Sequence, residues 1–156
     1  MSLKYLGGYT GNRPAWSSEQ QPGVWTLYDR FGRAQSVTKT VVVAPGDTVV
    51  DELSLTSPCL IQSVRLSRNA WIRFYSSSAA RLYDEARLVT EDPSAGAGVH
   101  LEIRTAGDTT VLTAPVPYMV GREPGNETLF PFRLTNESTT ADVVVEVVFL
   151  PLASYL

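Results

Sequence analysis

The chain has 156 residues, enough for one domain with its own core. Its net charge of -3 and 19% charged residues give no electrostatic basis for nucleic-acid binding. They also leave the surface shorter of charge than the roughly 25% of an ordinary domain, as expected where another chain covers part of it. No apolar run approaches the roughly 20 residues of a membrane span, and with Cys59 as the single cysteine no internal disulfide can form.

Residues 1–35 read as an extended arm. The opening Met1-Ser2-Leu3-Lys4-Tyr5 lacks the apolar region of a secretory signal, which predicts synthesis in a cytoplasm without classical export. Gly7, Gly8, Gly11, Pro14, Pro22, Gly23 and Gly32 interrupt every helix or strand period. Between them stand Tyr5, Tyr9, Trp16, Trp25, Tyr28 and Phe31. A linker is poor in aromatics, whereas an arm that docks buries about 150–250 Å² with each ring. Docking on a neighbouring subunit, through Tyr5, Tyr9, Trp16, Trp25 and Tyr28, is therefore the expectation, with folding back on its own domain as the alternative.

Residues 36–156 read as the folded domain: all-β, an eight-stranded antiparallel β-sandwich of jelly-roll or immunoglobulin-like type. Strands are expected near 37–44, 48–55, 60–67, 70–75, 99–105, 109–114, 128–135 and 142–150. Turn signals such as Pro45-Gly46-Asp47, Arg68-Asn69 and Ala106-Gly107-Asp108 separate many of them. Most strands are expected to pair as hairpins. The 99–105 run alternates cleanly, with Val99, Leu101 and Ile103 on one face and His100, Glu102 and Arg104 on the other, so His100 is expected on a solvated face. Residues 79–88 carry good helix formers, and 115–127 read as a long loop. In the last strand Val143, Val145, Val147 and Phe149 share one face and Val144, Val148 and Leu150 the other. A strand apolar on both faces is covered on both, so the arm, the 76–98 segment or another subunit should pack on it.

The residues that carry chemistry are sparse. One His and one Cys cannot make a zinc site. The acidic pairs Asp51-Glu52, Asp84-Glu85 and Glu91-Asp92 match no calcium loop and read as solvated charge. No phosphate-binding glycine motif or nucleophile elbow is present, and Cys59 with His100 reads as a buried thiol and an imidazole rather than a catalytic pair. No catalytic residue, metal or cofactor is expected. Eleven of the thirteen basic residues are arginine, the residue enriched at protein interfaces. Arg65, Trp71, Arg73 and Tyr75 form the densest aromatic-basic group, and Trp71, Arg73 and Tyr75 share one strand face, which is expected to meet another protein, with plain core packing as the second reading and a sugar or nucleic acid as the third.

Two stretches carry a resemblance. Pro22-Gly23-Val24-Trp25-Thr26-Leu27 resembles a short segment of structural proteins of tailed bacteriophages, those of marine bacteria and cyanobacteria in particular. More extensively, Val41 to Thr48, Pro58 to Val64, Ala70-Trp71-Ile72-Arg73-Phe74-Tyr75 and Ala80 to Arg87 resemble a small β-sandwich domain of phage virion proteins, where an AWVRLY string is followed by spaced Arg, Asp and Arg. The matches span much of residues 22–105. The resemblance implies a virion protein and leaves its place open among tail fibre, baseplate, collar and capsid decoration; the first expectation is a non-enzymatic, tail-associated protein whose partners are copies of itself and other virion proteins. Capsid decoration is the alternative place. A glycan-binding module at a tail tip, with Trp71 and Tyr75 as stacking platforms, is the alternative role.

Overall fold

The computed structural model describes residues 34–113 and 117–152. The arm aromatics Tyr5, Tyr9, Trp16, Trp25 and Tyr28 lie outside these. Within them the chain forms β1 (Gln35–Val41), β2 (Thr48–Ser54), β3 (Cys59–Leu66), β4 (Ala70–Tyr75), a short helix α1 (Ser78–Tyr83), β5 (Val99–Thr105), β6 (Thr109–Leu112), β7 (Tyr118–Met119), β8 (Leu129–Asn136) and β9 (Val143–Pro151). The eight expected strands are all present. The two-residue β7 is an addition, inside the segment expected to be a loop.

The strands make two antiparallel sheets. The first has the order β1-β9-β3-β6, with β7 also pairing β3, and the second the order β2-β8-β4-β5. The expected run of hairpins is corrected here. Among the first four strands each successive strand lies in the opposite sheet, so Pro45-Gly46-Asp47 and Arg68-Asn69 carry the chain between layers. A turn sequence dictates a reversal of direction but not which sheet receives the next strand. Gly46, at φ 81°, holds its corner by donating to the Asn136 carbonyl at 2.8 Å.

The inner faces are built by period-two alternation. Val143, Val145, Val147 and Phe149 of β9 are buried with Ile61, Val64 and Leu66 of β3, against Ile72, Phe74, Phe130, Phe132 and Leu134 of the second sheet. The rings of Phe74 and Phe132 lie 5.8 Å apart at 54°, a tilted contact of the favoured kind. Each such buried side chain contributes about 1.5–3 kcal/mol.

β4 departs from alternation: all six of its residues are buried. Its inner face is core, and its outer face is covered by the chain's own 76–98 segment. That segment begins with α1, whose N-cap Ser77 accepts from the Ala80 N–H at 3.2 Å, while the Glu123 carboxylate accepts from the Ser78 N–H at 2.6 Å. It returns through Gly98, at φ +69°, where an added Cβ would lie 2.6 Å from Ala80 Cβ and 2.8 Å from Ser76 Oγ.

Candidate functional site

The outer face of the second sheet carries its polar chemistry. Across the paired strands one row runs Thr48, Thr135, Trp71, Arg104 and the next Val50, Arg133, Arg73, Glu102. Into this face the turn after α1 lowers Asp84, whose side chain is 2% exposed. Asp84 Oδ2 accepts from Tyr75 Oη at 2.8 Å and from Arg73 Nη1 at 3.1 Å, and its Oδ1 accepts from Arg87 Nε at 2.7 Å. Arg87 Nη2 also donates to Glu102 Oε2 at 2.7 Å, and the other Glu102 oxygen accepts from Trp71 Nε1 at 2.7 Å. The Arg73 guanidinium stacks 3.9 Å above the Trp71 ring. Two guanidinium groups thus face two carboxylates, and nearly every lone pair of Asp84 is used, as a buried charge requires.

The titration behaviour follows. Burial alone raises the Asp84 pKa, but the hydrogen bonds from Arg87 and Tyr75, with the charges of Arg87 and Arg73, outweigh it and hold the group below the usual carboxylate value. Burial and the bond to Asp84 push Tyr75 upward. Burial disfavours the charge of Arg87, yet its bonds to Asp84 and Glu102 raise its pKa above the ordinary value.

Beside this network lies a cleft of roughly 360 Å³, walled by Glu85 to Val89 on one side and by Thr48, Thr135 and Glu137 on the other, with Trp71, Arg73 and Arg133 at its base. Thr48 and Thr135 hydroxyls share a hydrogen bond of 2.8 Å. Arg133 Nη1 lies 3.3 Å from Glu85 Oε1, but Arg133 Nε and Nη1 make no hydrogen bond among the described residues.

The outer face of the first sheet is different. Strand pairing aligns Tyr118, Leu60 and Leu150 in one row and Leu112, Ser63, Val148 and Ser36 in the next. Leu112 is 78% exposed and Tyr118 56%, so this end of the sheet is an apolar patch. The row beyond it is charged, with Arg65 bound bidentately to Asp108 at 2.8 and 2.6 Å and 3.8 Å from Glu146. Because Gln35 pairs with Phe149, the chain enters β1 at the Leu150 end of the patch.

Several expectations change. Trp71, Arg73 and Tyr75 do share a face, but they are 7%, 2% and 0% exposed, covered by the chain's own helix and loop rather than presented to another protein. Tyr75 therefore offers no stacking platform, and the Trp71 ring is occupied by Arg73. Arg65 stands on the other sheet. Asp84 is not solvated charge but the centre of the network. The signal for it was the spacing of Arg81, Asp84 and Arg87, read only as part of a resemblance. His100 is the extra residue of a bulge in β5, opposite the Phe74/Tyr75 step. The bulge turns its ring toward Phe130 at 6.2 Å and its Nε2 within 2.9 Å of the Val120 carbonyl. Burial, opposed by that bond and aided by the Arg122 charge, lowers its pKa. The Cys59 thiol is fully buried and pushed up to about 11 by burial, so it is not a thiolate near neutral pH. Among the described residues no group of three or more His, Cys, Asp or Glu is placed to hold a metal.

The chain was compared with protein-family models, with curated proteins and with solved structures, and none matches.

Proposed function

We propose that this chain is a non-enzymatic structural subunit of a larger particle, a tail-associated virion protein of a tailed bacteriophage, joined to its neighbours through its N-terminal arm. The observation that carries the reading is the apolar patch of Leu60, Leu112, Tyr118, Val148 and Leu150 on the outer face of the first sheet, at the end where the chain enters β1. An exposed apolar sheet face is costly and marks a contact surface. The 33 residues before Ala34 carry six aromatic side chains, the kind an apolar face takes up.

Strand order supports the same reading. The order β1-β9-β3-β6 facing β2-β8-β4-β5 favours a jelly roll over an immunoglobulin sandwich, whose first two strands share a sheet. Jelly rolls recur in capsid and lectin domains, an analogy of fold that fits a virion part without dictating one. The likeness of the Trp71-to-Arg87 string to phage virion domains points the same way. The test is localisation: antiserum raised against the purified chain labels intact phage particles at the tail. Absence from purified particles refutes a virion role, and labelling of the capsid shell moves the protein to decoration.

A further inference from the structure

We infer that the cleft beside Arg133 is a binding site for an acidic saccharide, a pyranose ring that carries a carboxylate. The inference is independent of the assembly reading, since it uses the second sheet and not the first. Arg73 and Arg133 are direct partners across β4 and β8, so two guanidinium groups stand side by side. Arg73, 2% exposed, is committed to Asp84 and Trp71, and its Nε has no hydrogen-bond partner among the described residues. Arg87 is satisfied by Asp84 and Glu102, and Arg104 by Glu137 at 2.7 Å. Of the guanidinium groups at the cleft, Arg133 has the most donors to spare: its ion pair with Glu85 lacks hydrogen-bond geometry, and two of its nitrogens make no hydrogen bond among the described residues. A planar fork in that state matches a carboxylate.

The rest of the wall selects among carboxylates. The charged groups that face the cleft and its floor are Arg73 from β4, Glu102 from β5, Arg133 from β8, Glu137 just beyond it, and Asp84, Glu85 and Arg87 from the covering segment. The groups that line the cleft itself are three cations, Arg73, Arg87 and Arg133, and two carboxylates, Glu85 and Glu137, a balance that suits one negative charge better than the two of a bare phosphate or sulfate. Glu85 and Glu137 instead accept from hydroxyl groups, and the Thr48 and Thr135 hydroxyls, bound to each other, retain acceptor lone pairs. Leu88 and Val89, 61% and 38% exposed, offer an apolar wall to the C–H face of a ring. An acidic peptide side chain would engage Arg133 and leave the other acceptors idle. The cleft volume of roughly 360 Å³ falls within the range of ligand pockets.

The experiment is an amide-detected NMR titration of the full chain with D-glucuronic acid, beside D-glucose, glutarate and inorganic phosphate. Glucuronate is expected to shift the amides of Thr48, Ala86 and Thr135 saturably, with a Kd of about 1–10 mM. Glucose, which lacks the carboxylate, is expected to bind at least about tenfold more weakly, and Arg133→Gln to lose about tenfold in glucuronate affinity. Thr135→Val, which alters the wall without touching the buried network, is expected to weaken glucuronate several-fold and serves if Arg133→Gln does not fold. The site is overturned if glucuronate gives no saturable shift, if both variants bind it like the wild type, or if the controls compete. Glutarate shifting the same amides as strongly means an acidic peptide, and phosphate doing so means a simple anion.

Discussion

At the scale of single residues, Asp84 decides most. It is the shared acceptor of Tyr75, Arg73 and Arg87, so its removal leaves two buried cations without their common partner. Asp84→Ala is expected to cost about 3–5 kcal/mol, the usual penalty for breaking a buried pair on one side, read as a fall in the urea midpoint. Acid should do the same. A carboxyl whose folded pKa lies below its unfolded value contributes stability that is present above the unfolded value and lost as pH falls through the folded one. For Asp84 the loss begins below about pH 4, and Asp84→Asn removes that part of the pH dependence. His100 acts in a separate window. Its lowered pKa means that the unfolded chain takes up the proton first, so stability declines as pH drops below about 6.5. His100→Gln should flatten the stability profile there while leaving the decline below pH 4 in place.

At the scale of elements, the six-residue helix α1 is far too short to persist alone and depends on Asp84, the Ser77 cap and the close approach of Gly98. Gly98→Ala combines a left-handed backbone with a contact of 2.6 Å to Ala80 Cβ. It is expected to destabilise by about 1–3 kcal/mol and to raise proteolysis within 76–98, measured against wild type under the same protease. The strands themselves were legible because alternation and turn residues are local signals: Val99 to Thr105 reads as a strand from its pattern alone. The layer each strand joins was not legible, because Pro45-Gly46-Asp47 reverses the chain equally well within a sheet or between two. The burial of Trp71, Arg73 and Tyr75 was hidden for the same reason. Period two places them on one face, but only the long-range return of Asp84, Arg87 and Glu102 says what covers it. His100 was misjudged because one bulge residue inverts the facing of a side chain, and no short pattern announced it.

At the scale of the molecule, the two sheets present opposite characters. The second is largely covered by its own chain and its buried ions, apart from the cleft beside Arg133, while the first exposes Leu112 and Tyr118 beside Leu60, Val148 and Leu150. The expectation that β9 is covered on both faces is met by the core on one side. On the other, the 76–98 segment is excluded because it lies on the opposite sheet. The arm of a neighbouring copy is the cover we propose, and the most direct measurement is the mass in solution of the full-length protein beside its Leu112→Asp/Tyr118→Asp variant, by light scattering. Both side chains are mostly exposed, so the double substitution should cost little stability. The account predicts an oligomer for the wild type and a folded monomer for the variant. Equal masses for the two, whether both monomeric or both assembled, would contradict it.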